Sequence, residues 1–189
     1  MDLVLFGIQG SGKGTQAKRL VAEFNFHFFE AGGTLRAIAA EDSHLASQVR
    51  SYINAGHLVP HEIIMEVVRE KIVDIPPVDP ILFDGIPRDA NQKRDFDIMM
   101  TELKREFFCV NILLTEERAL ERIKRRATEQ SRVDDSDAVK IKRRIQIFMD
   151  ETTPVIEAYR KAGKLIDVDG EGTVDEVYSR LAAAVRKRL

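Results

Sequence analysis

Near its amino end the chain has the sequence Gly7-Ile8-Gln9-Gly10-Ser11-Gly12-Lys13-Gly14-Thr15. A short apolar run, residues 3–6, comes directly before it, and a helical pattern follows over residues 16–24. This order of strand, glycine loop and helix is the context of a phosphate-binding loop. Glycines let successive backbone N–H groups turn inward around an anion, and the next helix directs its positive end at the same place. Lys13 would add a mobile charge for the outer phosphates of a nucleoside triphosphate.

The alternative for this segment is a glycine-rich turn with a solvated lysine. Four glycines, the lysine and the preceding strand occur together, and this combination favours the phosphate loop. The hydroxyl residue that usually follows the lysine is replaced by Gly14, and Thr15 comes one position later. We therefore expect no direct hydroxyl ligand to Mg²⁺ at position 14.

The composition is that of an ordinary globular domain. The chain has 189 residues, of which 44% are hydrophobic and 32% are charged, and this length suits one core with small insertions. Its net charge of −2 gives no electrostatic reason to bind nucleic acid or an anionic membrane. No apolar run approaches the roughly 20 residues of a membrane span, and a strand begins too early for a signal peptide. With a single cysteine, Cys109, expected to be a buried hydrophobe, we predict a cytoplasmic protein.

Apolar runs of strand length alternate with longer segments of helical periodicity. The predicted strands are residues 3–6, 26–29, 81–83, 108–114 and 164–168. Nearly continuous hydrophobic strands separated by helices indicate a parallel sheet covered on both faces. Two segments, about 30–67 and 127–137, do not fit simple crossovers and are interpreted as insertions over the sheet edge where ligands bind.

Two local signals concern the carboxyl-terminal third. Pro154 must at least kink a helical pattern that extends through residues 145–159. Thr173 and Glu176 have the spacing of a capping box, which predicts the start of the last helix.

Two arginines come after predicted strands. Arg36 ends the segment Ala31-Gly32-Gly33-Thr34-Leu35-Arg36, and Arg88 ends Asp84-Gly85-Ile86-Pro87-Arg88. Both should emerge at the carboxyl edge of the sheet, near the glycine loop. A guanidinium group binds phosphate through two hydrogen bonds and keeps its charge. A lone loop arginine is usually solvated, but two beside a phosphate loop favour a phosphate site.

Asp84 closes an apolar strand and precedes Gly85. A carboxylate at this position can hold Mg²⁺, directly or through its water shell, against nucleotide phosphates. The alternative is an aspartate that caps a turn at the strand end. The glycine loop at residues 7–15 favours the metal role.

A basic region occupies the second half of the chain. It contains Arg118, Arg122, Lys124, Arg125, Arg126, Arg132, Lys140, Lys142, Arg143 and Arg144. Some of these arginines could close over a triphosphate and neutralise the transferring group. A solvated helix face is the plain alternative, since many acidic residues are interleaved. A nucleic-acid tract is the weakest interpretation because aromatic residues are lacking.

In order and spacing, these segments resemble the adenylate kinase family along nearly the whole chain. The resemblance rests on residues 7–16, 32–36, 56–62, 84–88 with Gln92, Arg122 with Arg126, and 132–135. It implies an α/β fold, the P-loop nucleoside monophosphate kinase fold, with a five-stranded parallel sheet flanked by helices. It also implies one kinase domain, 1–189. The core would be 1–29, 68–126 and 137–189, the monophosphate-binding insertion 30–67, and the short lid 127–136.

The activity implied by the resemblance is reversible phosphoryl transfer from MgATP to AMP, giving two ADP. The chain would act as a monomer without nucleic acid or membrane, and no zinc is expected because the lid has no cysteine. Residues implied to bind ATP are Gly10, Ser11, Gly12, Lys13, Gly14, Thr15, Arg122 and Arg126. Residues implied to bind AMP are Ala31, Gly32, Arg36, Val59, Gly85, Arg88, Gln92, Arg132 and Arg144. The catalytic set would be Lys13, Arg88, Arg122, Arg132 and Arg144, with Asp84 as the Mg²⁺ carboxylate, acting through water.

The chain departs from the family pattern before Arg36. Where the family usually has Ser-Thr-Gly-Asp, this chain has Glu30-Ala31-Gly32-Gly33. Alanine at position 31 is similar to the UMP/CMP kinases. Gln92 instead favours adenine, because a glutamine amide can pair with its N1 and N6 edge. Gly33 removes a second carboxylate near the metal, and Gln9 replaces a loop proline, so we expect reduced activity.

Three alternatives stay open at this point. The first is a UMP/CMP-type nucleoside monophosphate kinase. The second is a non-catalytic nucleotide sensor, in which the altered segment at residues 30–33 has cost catalysis and kept binding. The third is an ATPase that acts on a partner molecule and hydrolyses ATP without any monophosphate.

Overall fold

The computed structural model describes residues 1–130 and 138–189, and the side chains of 126–138 lie outside this description. Five parallel strands form one sheet in the order β2-β3-β1-β4-β5. The strands are β1 (Asp2–Gly7), β2 (His27–Glu30), β3 (Ile81–Asp84), β4 (Phe107–Leu113) and β5 (Leu165–Asp169). The α/β fold with a five-stranded parallel sheet is confirmed.

Helices connect the strands and cover the sheet. Between β1 and β3 lie α1 (Lys13–Phe24), α2 (Ala31–Ala39), α3 (His44–Ala55) and α4 (His61–Ile72). Beyond β3 lie α5 (Ala90–Glu102), α6 (Glu116–Gln130), α7 (Ala138–Ile147), α8 (Thr153–Lys161) and α9 (Val174–Arg186). Among the described residues, no helix is long and apolar enough to cross a membrane.

The central strand β1 is buried along its whole length and divides the core in two. Val4 and Phe6 pack with residues of α4, α5 and α8 on one face of the sheet. Leu3 and Leu5 pack with residues of α1 and α9 on the other face. Each fully buried side chain of this kind contributes roughly 1.5–3 kcal/mol. The alternation of neighbouring residues between two apolar layers explains why residues 3–6 are all apolar.

The long connection between β2 and β3 consists of three helices. Ser43 caps the start of α3 by accepting a hydrogen bond from the N–H of Ala46 at 3.0 Å. Gly56 ends α3 with φ of 72°, a conformation that favours glycine. Helix α4 buries Val68 and Ile72 beyond the expected limit of the insertion at residue 67. The domain limits expected from the sequence stay predictions.

The structure shows how the two sequence signals of the carboxyl-terminal third, Pro154 and the pair Thr173 and Glu176, are accommodated. A π-helical turn, Phe148–Thr152, joins α7 to α8, and Pro154 lies in the first turn of α8. The proline has no N–H to donate, and within this turn the hydroxyl of Thr153 donates to the carbonyl of Phe148 at 3.2 Å. The capping box is confirmed: the Thr173 side chain accepts from the N–H of Glu176, whose carboxylate accepts from the N–H of Thr173.

Cys109 is buried in β4, as predicted. Burial raises the pKa of its thiol, so the thiol stays protonated at neutral pH.

A buried ion pair that the sequence did not indicate joins the start of β1 to the α4–β3 and α5–β4 loops at the amino end of the sheet. Arg105 donates to both carboxylate oxygens of Asp2, at 2.7 and 3.0 Å. The same guanidinium donates to the carbonyls of Ile75 and Asp79, at 2.8 and 2.6 Å. Asp2 also accepts the N–H of Ile81 at 2.8 Å, which anchors the start of β3. Both charges are almost inaccessible to water, so each depends on the other.

We predict that Arg105→Met lowers the free energy of unfolding by about 3–5 kcal/mol, because Asp2 would stay buried without its partner. Arg69→Met is the matched control, since Arg69 pairs with Glu102 on the surface and should contribute less than about 1 kcal/mol. Urea unfolding followed by circular dichroism measures both. Equal effects of the two substitutions would contradict a structural role for the buried pair.

Candidate functional site

A cavity of about 690 Å³ lies at the carboxyl ends of β1, β2 and β3. Its walls come from the loop after β1, the start of α2, the α3–α4 connection, the loop after β3, and α7. Residues from the sequence prediction that line it are Gly10, Gly12, Lys13, Gly14, Thr15, Ala31, Gly32, Arg36, Val59, Asp84, Gly85, Arg88, Gln92 and Arg144. The fold therefore brings together segments that are far apart in the chain.

The glycine loop needs a backbone that other residues rarely adopt. Gly10 and Gly12 have φ of 89° and 91°. A β-carbon at Gly10 would also lie 2.6 Å from the carbonyl oxygen of Ala119 in α6. Lys13 begins α1, and its Nζ donates to the carbonyl of Gly7 at 2.5 Å. The ammonium group thus lies inside the turn of its own loop.

Buried polar groups in this region are incompletely satisfied. Among the described residues, the hydroxyl of Ser11 and the side-chain oxygen of Gln16 are buried without a hydrogen-bond partner. Gln16 uses its amide nitrogen to donate to the carbonyl of Val174 at 3.0 Å. Such groups are uncommon in folded proteins, and one of the two, the Ser11 hydroxyl, belongs to the glycine loop itself.

Arg88 is positioned through its backbone as well as its side chain. Its Nε donates to the carbonyl of Gly85 at 2.8 Å. Its N–H donates to Oε1 of Gln92 at 2.8 Å, and its carbonyl accepts from the hydroxyl of Thr152 at 2.8 Å. Thr152 lies at the end of the π-helical turn and was not found from the sequence, where no signal distinguishes it from Thr153.

The arginines of the cavity influence one another. Burial lowers the pKa of Arg88, Asp84 opposes this shift, and the nearby charges of Arg144 and Arg36 add to it. Arg36 is half-exposed, with Nη2 located 3.1 Å from Oε1 of Glu30. Three guanidinium groups therefore share one region, which strengthens the attraction of the cavity for anions.

Asp84 is the buried carboxylate of the cavity and lies beside Glu30 across the β2–β3 pair. Burial raises the pKa of Asp84, whereas the positive charges of Lys13 and Arg88 act in the opposite direction. No group of three His, Cys, Asp or Glu side chains that could hold a metal occurs in the part of the chain that the structure describes. A cation at Asp84 would therefore take most of its ligands from water and bound phosphate, as Mg²⁺ commonly does.

The remaining predicted residues lie elsewhere or outside the description. Arg122 is on α6, where its Nη2 donates to the carbonyl of Gly170 at 3.0 Å and lies 3.9 Å from Glu171. Helix α6 continues to Gln130, so the first residues of the expected lid, 127–136, are helical. The side chain of Arg126 and all of Arg132 lie outside the described residues.

Comparison with known proteins gives consistent matches along the chain. A family model described as "Adenylate kinase" matches residues 5–164. The adenylate kinase of Maricaulis maris is 33% identical over 189 residues, which cover all of both chains. The adenylate kinase of Thermus thermophilus is 35% identical over 97% of this chain and 96% of its own. That of Caulobacter vibrioides is 36% identical over 98% of this chain and 97% of its own.

We predict that Asp84→Asn stabilises the ligand-free protein at neutral pH. Because the pKa of Asp84 is raised in the folded state, folding disfavours its ionised form, and a neutral amide removes that cost. The gain should shrink as the pH falls through the folded pKa towards the ordinary value of 3.8, where both states become protonated. Urea unfolding between pH 7 and pH 4 measures it, with Asp74→Asn, at an exposed site, as the control. A loss of stability at pH 7 would show instead that the ionised carboxylate stabilises the fold.

Proposed function

The chain belongs to the adenylate kinase family and is a phosphotransferase; on that premise we propose that it transfers a phosphoryl group reversibly from MgATP to AMP, giving two ADP. The observation that carries the proposal is the convergence of Lys13, Arg36, Arg88 and Arg144 on one cavity beside a glycine loop. Two nucleotides joined at their phosphates are the kind of polyanion that such a cavity suits.

In this proposal the glycine loop binds the triphosphate and the arginines near β2 and β3 bind the monophosphate. Lys13 leaves the carbonyl of Gly7 and contacts the outer phosphates, assisted by the amino end of α1. Arg36 and Arg88 hold the phosphate of AMP. Arg144 lies near Arg88 and neutralises the group in transfer.

Asp84 is the residue that would hold Mg²⁺, through water. The fit rests on one buried carboxylate beside Lys13, which leaves most ligand positions to water and phosphate. When bound, Mg²⁺ supplies positive charge to the phosphate oxygens of ATP. The cofactor stays a proposal at this site.

The chain's own residues act by position and charge, and none serves as a nucleophile. An oxygen of the AMP phosphate attacks the terminal phosphorus of ATP, and the bond to the leaving oxygen of ADP breaks. No general base is needed, since a phosphate monoester is largely dianionic at neutral pH. Holding two substrates in line contributes roughly 7–11 kcal/mol towards the barrier. Excluding water from the cavity would suppress hydrolysis of ATP.

The base of the monophosphate is proposed to be read by Gln92 and Val59. Asp89 caps α5 by accepting the N–H of Gln92 at 2.9 Å, which fixes Gln92 in the first helical turn. Oε1 of Gln92 accepts the N–H of Arg88 and retains a second lone pair, and the two N–H groups of Nε2 can donate to a base. This combination of donor and acceptor suits adenine.

The decisive experiment measures ADP formation with ATP as donor and AMP, CMP, UMP, GMP or dAMP as acceptor. We expect the highest kcat/KM with AMP. A preference for CMP or UMP would instead place the protein with pyrimidine-specific kinases. Binding of both nucleotides without turnover would indicate a sensor, and ATP hydrolysis without a monophosphate would indicate an ATPase. The expected monomer and the cytoplasmic location stay predictions, of which size-exclusion chromatography tests the first.

We predict that Lys13→Met lowers kcat by about 10²–10³-fold, because a cationic donor to the transferring group is lost. The circular dichroism spectrum should not change, since Lys13 belongs to none of the three apolar core clusters. Lys161→Met, at the exposed end of α8, is the control and should keep full activity. Full activity of Lys13→Met would rule out this role for the loop.

We predict that Arg88→Ala raises KM for AMP about 10- to 100-fold, which is the loss expected for hydrogen bonds between charged groups. KM for ATP should change less than about threefold. Arg94→Ala is the control, because Arg94 is exposed on α5 and contacts Asp95. Similar increases in both KM values would show that Arg88 does not discriminate between the two substrates.

A further inference from the structure

Glu30 is an acidic residue in the middle of the cationic cavity. It ends β2, and its side chain is 43% exposed. One carboxylate oxygen, Oε1, lies 3.1 Å from Nη2 of Arg36. A carboxylate therefore contacts one of the guanidinium groups to which we assign the monophosphate.

The carboxylate of Glu30 also lies against the first turn of α2. A β-carbon at Gly33 would be 3.0 Å from Oε2, and one at Gly32 would be 3.7 Å from Oε1. Because Gly33 has no side chain, it leaves free the space that the Glu30 carboxylate occupies. The amino end of a helix and a guanidinium group are together the surroundings that favour a bound anion.

The charge of Glu30 also acts electrostatically on Asp84 and Arg88. It raises the pKa of Asp84 and counteracts the lowering of the Arg88 pKa. Glu30 is thus close enough to both strand ends to interact electrostatically with a phosphate bound between them.

From these contacts we propose that Glu30 is an internal competitor for the phosphate group of AMP. The phosphate must either displace the carboxylate from Arg36 or bind beside it as a second anion. Glu30 therefore weakens binding of the monophosphate and sets its KM, while the triphosphate at the glycine loop is little affected. The inference rests on the proposed function of this site.

Competition should outweigh any help that Glu30 gives by orienting Arg36. An ion pair with half-exposed partners is weak, because water screens it and ordering two long side chains offsets the attraction. A carboxylate within a few ångströms of a phosphate dianion repels it even in a high dielectric. Removing the charge is therefore expected to tighten AMP binding about tenfold, and not to weaken it.

The test compares the wild-type protein with Glu30→Gln, which keeps the size of the side chain and removes its charge. Dissociation constants for AMP, adenosine and ATP are measured by isothermal titration calorimetry or by competition. We expect AMP to bind about tenfold more tightly to Glu30→Gln. Adenosine should bind equally to both proteins because it carries no phosphate, and ATP should change less than about twofold.

Glu102→Gln is a matched control. Glu102 pairs with Arg69 outside the cavity, and the exposure of the pair, 53% and 47%, resembles that of Glu30 with Arg36, 43% and 52%. Loss of a surface carboxylate as such would affect both variants, whereas competition at the cavity affects Glu30→Gln alone. AMP binding by Glu102→Gln should therefore equal that of the wild-type protein.

Two results would overturn the inference. One is AMP binding by Glu30→Gln that is unchanged or weaker, and the other is an equal gain for adenosine, which would indicate a change of shape. Failure of the proposed function looks different, since the wild-type protein would then form no ADP from ATP and AMP. Wild-type turnover without tighter AMP binding by Glu30→Gln would overturn the role of Glu30 alone.

Discussion

Burial of β1 on both faces is the constraint on which the rest of the structure depends. Its residues pack into two separate apolar layers, and its backbone pairs with β3 and β4. Polar groups of this segment therefore lie at the two ends of the strand, with Asp2 at its start and the loop Gly7–Thr15 at its carboxyl end. Because β3 and β2 run parallel to β1 on one side, their ends, Asp84 and Glu30, lie at the same edge. The cavity is a consequence of the sheet order.

The buried charges at that edge lower the stability of the folded protein. Burial raises the pKa of Asp84 and lowers the pKa of Arg88, so the surroundings disfavour the charged form of each group. The attraction between the Asp84 carboxylate and the Arg88 guanidinium offsets only part of this unfavourable effect of burial. Perturbed groups that converge in a cavity are typical of functional sites, where folding alone would favour apolar residues. The Arg105–Asp2 pair at the opposite end of the sheet is buried too, but its hydrogen bonds are directed to backbone carbonyls and hold loops together.

Each of three cations around the cavity contacts an oxygen of the protein itself. Lys13 donates to the carbonyl of Gly7, Arg36 to the carboxylate of Glu30 and Arg88 to the carbonyl of Gly85. A bound nucleotide would therefore exchange one set of hydrogen bonds for another. The internal contacts keep the three side chains ordered before the nucleotide binds. They also reduce the net free energy gained from each new contact, because an existing hydrogen bond must be broken first.

The order of residues was enough to predict the strands, the glycine loop, the capping box at Thr173 and the family, because these depend on local periodicity and on motifs with fixed spacing. It did not reveal the bond from Thr152 to Arg88, the pair of Arg105 with Asp2, or the contact of Arg122 with Gly170. These partners are 64, 103 and 48 residues apart, and no local pattern relates them. Glu30 was visible as a departure from the family pattern, but its contact with Arg36 depends on how α2 leaves the sheet. Side chains meet across the edge of a sheet only after its strands are arranged in order, so only the tertiary structure decided which charges face each other.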